Sequence, residues 1–397
     1  MAEWQSIRLG TIVSTNQNTY SPKEDWQFVN YLDTGNITMN RVDKIQCINT
    51  LTDKLPSRAR RKVKSNSIIY STVRPNQLHY GIIKEQPENF LVSTGFAVID
   101  VDFEKAVPDY IYYALTQQEV TEHLQAIAEQ SVSAYPSIKP SDIENLEFLL
   151  PDKNTQGKIV AILRSIDEKI KQNNEINNNL LEQVLTLYRN RFVDTANNER
   201  RICRADEYFD ISIGKTPPRK EPQWFSTNPQ DVTWVSISDM GTCGLYISSS
   251  SEQLTKEAVD RHNVKIVPDN TVLLSFKLTV GRIAITNGEM TTNEAIAHFK
   301  TDKKEINEYL YCYLKCFNYQ TMGSTSSIAT AVNSKIIKGM PFVVPTDDEL
   351  IDFHSVAAPM FAKIKVNQTE SEKLTAVRDT LLPKLMSGEL DVSDIEL

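Results

Sequence analysis

Cysteine and histidine are scarce in this chain, which has five of each among 397 residues. Cys47, Cys203 and Cys243 are isolated, and nothing near Cys312 and Cys316 completes the spacing of a zinc site. The last two cysteines lie four residues apart in the segment NEYLYCYLKCFNY, which is predicted to be helical. We therefore expect small buried thiols in a core helix rather than metal ligands.

Long apolar runs are missing as well, because none approaches the roughly 18 residues that a membrane-spanning helix needs. The first residues, MAEWQSIRLG, lack the charged and apolar regions of a secretory signal. With 40% hydrophobic and 24% charged residues, the composition is that of a soluble protein with two or three domains. We expect the chain to stay in the cytoplasm.

Motifs of the common catalytic sites are absent, since the sequence contains no GxGxxG, GxxxxGK[ST] or HExxH. The segment STNPQDV (226–232) begins like an amino-methyltransferase motif. It lacks the second proline and the aromatic residue that would hold a flipped base, and is interpreted as a turn. We found no nuclease-like cluster of acidic residues. The chain is predicted to have no catalytic residue and no metal site, and to perform no reaction alone.

The net charge of −8 at first argues against a nucleic-acid partner. However, the C-terminal segment SGELDVSDIEL alone carries four acidic residues. Basic residues cluster elsewhere, and a phosphate backbone responds to such local clusters.

An internal repeat with a period of 194 residues organises the chain. This offset pairs Pro151 with Pro345, Asn173 with Asn367, and further residues across about 45 positions without a gap. Upstream, YIYYAL (110–115) matches YLYCYL (309–314), and NSIIYS (66–71) matches NTVLLS (270–275). The predicted division is therefore a globular domain at 1–150, a helix at 151–195, a globular domain at 196–345, a helix at 346–390 and an acidic tail at 391–397.

The globular halves are predicted to be of the α+β class, with mixed strands and helices. Runs such as WQFVNYL, GFAVIDV and VTWVSIS are rich in β-forming residues and end at turn residues. The last third of each half becomes helical, in DYIYYALTQQEVTEHLQAIAE and NEYLYCYLKCFNY.

Both long helices have clear start and stop signals. Asp152 or Thr155 can cap the first helix, and Thr346 with Glu349 has the spacing of a capping box. Pro383 is expected to end or kink the second helix near its last turn.

The apolar residues of both helices follow alternating steps of four and three, which is typical of a coiled-coil seam. Two alternatives are open: each helix packs on its own domain, or the helices pair with each other. The matched phase favours an antiparallel coiled coil around a pseudo-twofold axis. Polar residues interrupt both seams at their centre, and we expect Asn177 to face Asn367 and Asn173 to face Ser371. Such residues fix the register at a cost in stability.

Four basic and polar segments are candidates for contact with DNA phosphates or base edges. They are PSRARRKVK (56–64), VRPNQLHYG (73–81), GKTPPRK (214–220) and SFKLTVGR (275–282). The candidate DNA-binding residues are Arg58, Arg60, Arg61, Lys62, Lys64, Arg74, Asn76, Gln77, Tyr80, Lys215, Arg219, Lys220, Lys277, Thr279 and Arg282.

Together these segments resemble the DNA-specificity subunit of type I restriction–modification systems, over the whole chain. RDTLLPKLMSGEL (378–390) looks like the end of that family's second conserved helix. VSTGFAVI (92–99), TTNEAIAHF (291–299), ISIGKTPPRKEPQWF (211–225) and LLSFKLTVGRIAI (273–285) are similar to its target-recognition domains. The first domain lacks the GKTPPR-type opening, so its loop assignments follow less directly.

The resemblance implies a bacterial or archaeal subunit that is not an enzyme and binds no cofactor. Two target-recognition domains, separated by the two conserved helices, would each read one half of a bipartite asymmetric DNA site. The helices would receive two methyltransferase subunits, which bring S-adenosylmethionine. A restriction subunit, which uses ATP and magnesium, would complete the complex. The competing readings are a methyltransferase with an unrecognised site and a scaffold that never binds DNA.

Overall fold

The computed structural model describes residues 4–131, 135–195, 200–322 and 332–395. It divides into two compact units. The first contains the residues up to Glu168 and those from Leu374 onwards, and the second runs from Lys169 to Lys373. The division falls inside two long helices, so each unit combines one globular half of the repeat with a part of both helices.

The first unit is built from twelve strands and three shorter helices in its described part. The strands are β1 (Gln5–Arg8), β2 (Val13–Thr15), β3 (Phe28–Leu32), β4 (Ile37–Thr38), β5 (Arg41–Val42), β6 (Gln46–Asn49), β7 (Ala59–Lys62), β8 (Ile68–Ser71), β9 (Tyr80–Ile82), β10 (Phe90–Ser93), β11 (Phe96–Val101) and β12 (Glu147–Leu150). The helices are α1 (Pro108–Leu115), α2 (Gln118–Glu129) and α3 (Pro140–Glu144).

The first long helix, α4 (Lys153–Tyr188), is followed by a π-helical turn at Arg189–Val193. The strands of the second unit are β13 (Ile202–Arg204), β14 (Asp210–Ile213), β15 (Phe225–Ser226), β16 (Val232–Val235), β17 (Tyr246–Ile247), β18 (Glu252–Leu254), β19 (Val272–Ser275), β20 (Ile283–Thr286), β21 (Thr291–Thr292), β22 (Ile296–Lys300) and β23 (Pro341–Val343). Its helices are α5 (Ala205–Tyr208), α6 (Asp239–Thr242), α7 (Lys256–Arg261), α8 (Asn307–Cys316), α9 (Ser334–Lys338) and the second long helix, α10 (Asp347–Met386).

The two units repeat the same sheet topology. The order β2-β11-β8-β9 in the first unit corresponds to β14-β22-β19-β20 in the second, where β17 adds an edge strand. Each unit has a further four-stranded sheet, β6-β3-β10-β7 or β15-β18-β16-β21, with one parallel pair in each. A two-stranded ladder, β1-β12 or β13-β23, completes the correspondence. The prediction of a repeated mixed α/β architecture is thus confirmed.

The central strands are mostly apolar because both faces of the sheet are covered, although β11 also buries Asp100, which accepts a hydrogen bond from Ser67 Oγ at 2.6 Å. In β8 and β11 every residue is buried. Successive side chains point to opposite faces. Ile68 and Tyr70 therefore join one core cluster, while Ile69 and Val98 join another. In the second unit, β19 divides in the same way, since Val272 and Leu273 belong to different clusters.

The predicted helix starts are confirmed. Asp152 caps α4, because its Oδ1 accepts the backbone amides of Asn154 at 2.9 Å and Thr155 at 3.0 Å. Thr346 and Glu349 form the expected capping box at the start of α10, with reciprocal bonds of 2.9 and 3.2 Å. Helix α10 ends at Met386, within one turn of Pro383.

The long helices pack on their domains and also contact each other within each unit. In the first unit, Ile159 and Leu163 of α4 share a core cluster with Leu382 and Leu385 of α10. In the second unit, Val184 of α4 shares another cluster with several residues of α10, namely Phe353, Ala357, Phe361 and Ile364. Both alternatives considered for these helices therefore hold in part.

Candidate nucleic-acid interface

The hairpin between β8 and β9 carries the first group of predicted DNA-binding residues. Its turn is a short 3-10 segment, Pro75–Gln77, between Arg74 and Leu78, which both adopt left-handed backbone conformations. Arg74 is exposed, with its guanidinium carbon 5.3 Å from the centre of the Tyr135 ring. Asn76 and Gln77 are exposed as well. Three of the four predicted side chains of this segment can therefore reach a ligand.

Tyr80, the fourth, is a correction because its side chain lies in the core. It stacks on Tyr70, its partner in the β8–β9 register, with ring centroids 5.6 Å apart. The ring of Tyr112 from α1 lies 6.3 Å away on an edge. Burial raises the pKa of Tyr80 to about 12. A side chain fixed in this way cannot address a base edge.

The basic run around β7 divides into paired and unpaired cations. Lys62 forms an ion pair with Glu24, and Lys64 lies 3.6 Å from Asp100. Arg61 is half-buried, and burial lowers the pKa of its guanidinium. The local carboxylates already neutralise the two lysines.

Three arginines of this run, Arg58, Arg60 and Arg61, form no ion pair with the described residues. Burial restricts Arg61. Arg58 is exposed at the end of the strand, and Arg60 is partly exposed within it. They are the residues of the segment best placed to bind phosphate.

In the second unit, the β19–β20 hairpin holds the corresponding group. Lys277 and Thr279 are exposed on either side of Leu278, which is fully exposed. Arg282 is turned back toward the protein, because its Nη1 donates to the carbonyl oxygen of Ile237 at 2.6 Å. Arg282 therefore fixes the hairpin, whereas Lys277 and Thr279 are available to a partner.

The GKTPPRK segment is held to the surface of the second unit. Lys215 Nζ donates to the carbonyl oxygen of His262 at 2.6 Å. Arg219 forms a bidentate pair with Glu252, with both bonds at 2.9 Å, and its guanidinium carbon lies 4.2 Å from the Phe225 ring centre. Of the three predicted cations here, Lys220 is exposed and forms neither an ion pair nor a side-chain hydrogen bond with the described residues.

The basic runs alone do not reveal which of their cations are already bound within the protein, because each partner is distant in sequence. This applies to Lys62, Lys64, Arg219 and Arg282. Leu278 is a candidate that the charge-based search missed. The signal for it was an apolar residue between two polar turn residues in FKLTVG.

The polar centre of the paired helices lies inside the second unit. Asn367 Nδ2 donates to Asn177 Oδ1 at 2.8 Å. Asn173 Nδ2 donates to Ser371 Oγ at 3.3 Å and to a carboxylate oxygen of Glu370 at 2.8 Å. The structure thus brings together both pairs named from the sequence, with the helices antiparallel at this point.

Among residues 4–131, 135–195, 200–322 and 332–395, no group of three or more histidine, cysteine, aspartate or glutamate side chains could hold a metal ion. No helix in the same ranges is long and apolar enough to cross a membrane. Cys312 is buried in α8 and Cys316 is partly buried at its end.

The sequence matches a known protein family and is similar to two known specificity subunits. The model of the family described as "Type I restriction modification DNA specificity domain" matches residues 1–182 and 201–374. The chain is 24% identical to the type I restriction enzyme HindI specificity subunit of Haemophilus influenzae, over 98% of this chain and all of that protein. It is 26% identical to the MjaIX specificity subunit of Methanocaldococcus jannaschii, over 73% of this chain and 70% of that protein.

A solved structure shares the fold. It is the S subunit of a type I restriction–modification system from M. genitalium, which is 17% identical with a TM-score of 0.55. The match covers 99% of this chain and 97% of that one.

Proposed function

This chain belongs to the type I restriction modification DNA specificity family, whose model matches both halves of the repeat, and we propose how its parts divide the work of a specificity subunit. Each globular domain reads one half of a bipartite, asymmetric DNA site. The long helices form a coiled coil that sets the distance between the half-sites and docks the methyltransferase subunits. The observation that carries the proposal is a repeated sheet topology with an exposed, polar hairpin at the same place in both units.

The boundaries in this proposal follow the ends of the long helices. The target-recognition domains are residues 1–150 and 196–345, and the conserved helices are residues 151–195 and 346–390, with an acidic tail at 391–397. Helix α4 has 36 residues, which gives a length of about 54 Å. Two readers on one face of a duplex are expected about 34 Å apart or at a multiple of that distance. A tilted helix pair of this length can set such a spacing.

The register of the helices is proposed to depend on the asparagine pair. Asn177 and Asn367 are buried, and their hydrogen bond is satisfied only in one alignment. The Asn173–Ser371 contact repeats this arrangement one helical turn away. Together they define a centre for the pseudo-twofold repeat.

Methylation and cleavage are assigned to partner subunits. Two methyltransferase subunits would bring S-adenosylmethionine, and a restriction and translocase subunit would use ATP and magnesium. This chain would supply the DNA contacts that decide where those reactions occur.

Exchange of one domain tests the proposal most directly. Residues 197–345 are replaced by the matching domain of a relative, and methylated adenines are mapped in DNA from cells that also carry the methyltransferase. One half of the methylated site should change, while the other half and the spacer length should stay the same. If both half-sites change, the domains do not read DNA independently.

A seven-residue insertion in α4 is the complementary test. It preserves the phase of the seam but lengthens the helix by about 10 Å. The spacer should change and both half-sites should persist. An unchanged spacer would contradict the role of the helices.

Two of the unpaired arginines around β7, Arg58 and Arg60, allow a comparison with the paired lysines of the same run. Replacing Arg58 and Arg60 by alanine should weaken binding of the complex to all DNA sequences and reduce the slope of affinity against salt by about two, because phosphate contacts release counterions. The control is the replacement of Lys62 and Lys64, whose charges are already paired with Glu24 and Asp100. Equal effects of the two double variants would refute the distinction between paired and unpaired cations.

A further inference from the structure

A strained turn lies at the tip of the β19–β20 hairpin. The backbone amide of Thr279 donates to the carbonyl oxygen of Lys277 at 2.6 Å, which closes a three-residue γ-turn around Leu278. Leu278 has a positive φ of 59°. A γ-turn with a positive central φ is rare, and a non-glycine residue in it is strained.

The side chain that this turn presents is entirely exposed. Leu278 has a relative exposure of 100%, the highest among the exposed large apolar residues of the described chain. The other hairpin leucine with a left-handed backbone, Leu78, packs instead against the core of its unit. Leu278 therefore combines backbone strain with an unfavourable hydration of apolar surface, and neither is compensated within the chain.

Hydrogen bonds on both sides of the tip hold it in place. Ser275 Oγ donates to the carbonyl oxygen of Thr279 at 2.6 Å and accepts the amide of Arg282 at 3.0 Å. Gly281 has a φ of 91° and lies so close to Tyr319 that a Cβ there would be 3.1 Å from its ring. The leucine is thus a preorganised protrusion rather than a side chain on a loose loop.

From this geometry we infer that Leu278 determines specificity, by entering a groove of the DNA half-site read by the second unit and making an apolar contact with its bases. The inference rests on the proposed function and names one residue that carries it. The flanking side chains favour DNA as the occupant, because Lys277 is exposed and forms no ion pair with the described residues, and Thr279 offers a hydroxyl group. A cation beside the tip suits the phosphates that border a groove.

The chemistry of the side chain restricts what it can contact in DNA. Leucine forms no hydrogen bonds, and phosphates offer no apolar surface. The apolar surfaces that differ between sequences are the thymine methyl group in the major groove and the faces of bases at a step that can be opened. Either contact depends on the local sequence, so removal of the side chain should alter discrimination more than general affinity.

The test compares Leu278→Gly and Leu278→Ala with the unchanged chain, each assembled with its methyltransferase subunits. Glycine tolerates the positive φ, so this variant should fold at least as stably, and thermal unfolding checks that point. The ratio of affinities for the mapped site and for a scrambled duplex should fall by about tenfold in both variants, the equivalent of losing the burial of one leucine. Leu278→Met should restore most of the ratio. Ile202→Ala, which removes another exposed apolar side chain of the second unit, should leave it unchanged.

Two modified duplexes identify the contacted surface. Replacing the thymines of the half-site one at a time by deoxyuridine removes one methyl group each time. If Leu278 contacts a methyl group, one of these changes should weaken DNA binding by the unchanged complex but not by the Leu278→Gly complex. With 2-aminopurine at each step in turn, fluorescence should rise only with Leu278 present if the side chain opens a step. Either result supports the inference.

The outcomes that overturn it are distinct from a failure of the proposed function. If the unchanged complex discriminates between the duplexes and both Leu278 variants discriminate equally well, Leu278 is not a specificity residue although the subunit reads DNA. If the unchanged complex itself shows no preference for any sequence, the proposed function is wrong, and the inference falls with it.

Discussion

The two units share a sheet topology but differ in the chemistry of matching buried positions. At three positions between the globular domain and the long helices, the first unit has polar side chains and the second has apolar ones. At one position of the central sheet, the first unit has an apolar residue and the second has a hydrogen-bonded histidine. The offset of 194 and the match between YIYYAL and YLYCYL identify the corresponding positions.

At the junction of the first unit, Asp167 of α4 binds two partners. It accepts hydrogen bonds from the Tyr113 hydroxyl group at 2.7 Å and from Arg378 Nη1 at 2.9 Å. Arg378 also binds Asp379. Arg378 is largely buried, so these carboxylates compensate its charge.

The corresponding residues of the second unit are Cys312, Phe361 and Val184, and all three are fully buried in one apolar cluster. The Phe361 ring lies 5.7 Å from that of Tyr311. These three matching positions are therefore joined once by directional hydrogen bonds and once by apolar packing.

At one matching position of the central sheets, the second unit has the polar residue and the first unit the apolar one. His298 of β22 is buried between Ser212 Oγ at 3.0 Å and Thr292 Oγ1 at 2.7 Å. Its equivalent by strand register is Val98 of β11, which packs in an apolar cluster. The comparison teaches that this fold fixes the topology of each position, while the size and the chemistry of the side chain that fills it are free to differ. Four predictions break or sharpen the contrast.

The largest effect is expected from Phe361→Ala, which empties the apolar junction of the second unit. Removal of a fully buried phenylalanine should cost about 3–5 kcal/mol of unfolding free energy, because lost transfer energy and a cavity add up. Urea unfolding followed by hydrogen exchange of α8 and α10 would locate the loss. A cost below that of the Asp167 variant described below would show that packing does not hold this junction.

The polar cluster of the second sheet predicts a dependence on pH. Burial lowers the pKa of His298 to about 3. Between that value and about 6.5 the unfolded chain binds a proton that the folded chain does not, so stability falls as the pH falls through this window. The loss at pH 5 should be about 2 kcal/mol relative to pH 7.

The measurement is the difference in unfolding free energy between His298→Gln and the unchanged chain across this range. Glutamine binds no proton, so the variant should lack this part of the pH dependence. Parallel curves for the two proteins would mean that His298 binds its proton equally well in the folded and the unfolded chain. The apolar equivalent position, Val98, offers a control in Val98→Ala, whose cost should be independent of pH.

Asp167→Ala tests the polar junction of the first unit and should cost about 1–2 kcal/mol, because Arg378 retains Asp379 and part of its hydration. Asp167→Asn keeps the size of the side chain and part of the hydrogen bonding, and should cost less. The loss of unfolding free energy caused by Asp167→Ala should decrease with added salt, because salt screens the ion pair. The loss caused by Phe361→Ala should not depend on salt. Equal salt responses would erase the contrast between the junctions.

The sequence revealed those features that repeat locally. The strand runs, the caps and the seam of the long helices were all predicted, since hydrophobic period and capping residues act within a few positions. The pairing of Asn177 with Asn367 was inferred because the repeat supplied a long-range alignment.

Individual binding residues were harder to predict, because their availability depends on distant partners. Tyr80 reads as a polar loop residue, but its strand register places it on Tyr70. The sequence suggests that Arg219 is a free cation, but in the structure it forms an ion pair with Glu252. The exposure of Leu278 follows from a γ-turn that local propensity does not predict.

The smallest effect is expected at the caps of the long helices, where the same two positions exchange their chemistry. Asp152 with Thr155 starts α4, and Thr346 with Glu349 starts α10, so the carboxylate and the hydroxyl group trade places across the repeat. Thr346→Ala and Asp152→Ala should each cost about 1 kcal/mol. The double change Asp152→Thr with Thr155→Glu gives the first helix the capping residues of the second. This variant should be nearly as stable as the unchanged chain and more stable than Asp152→Ala, because a capping box satisfies the same amide groups.

The pH dependence separates the two caps further. Hydrogen bonds from Thr155 hold the pKa of Asp152 below its usual range, while Arg200 does the same for Glu349. Each carboxylate therefore stabilises the fold at neutral pH, and that contribution is lost as the pH falls through its folded pKa. Arg200→Ala should reduce the part of the acid-dependent loss in unfolding free energy that comes from Glu349, which is the part that Glu349→Gln removes. It should not change the part that comes from Asp152, which Asp152→Asn removes. Unfolding free energies at pH 7 and pH 3 provide the measurement, and an equal response of both caps to Arg200→Ala would refute their independence.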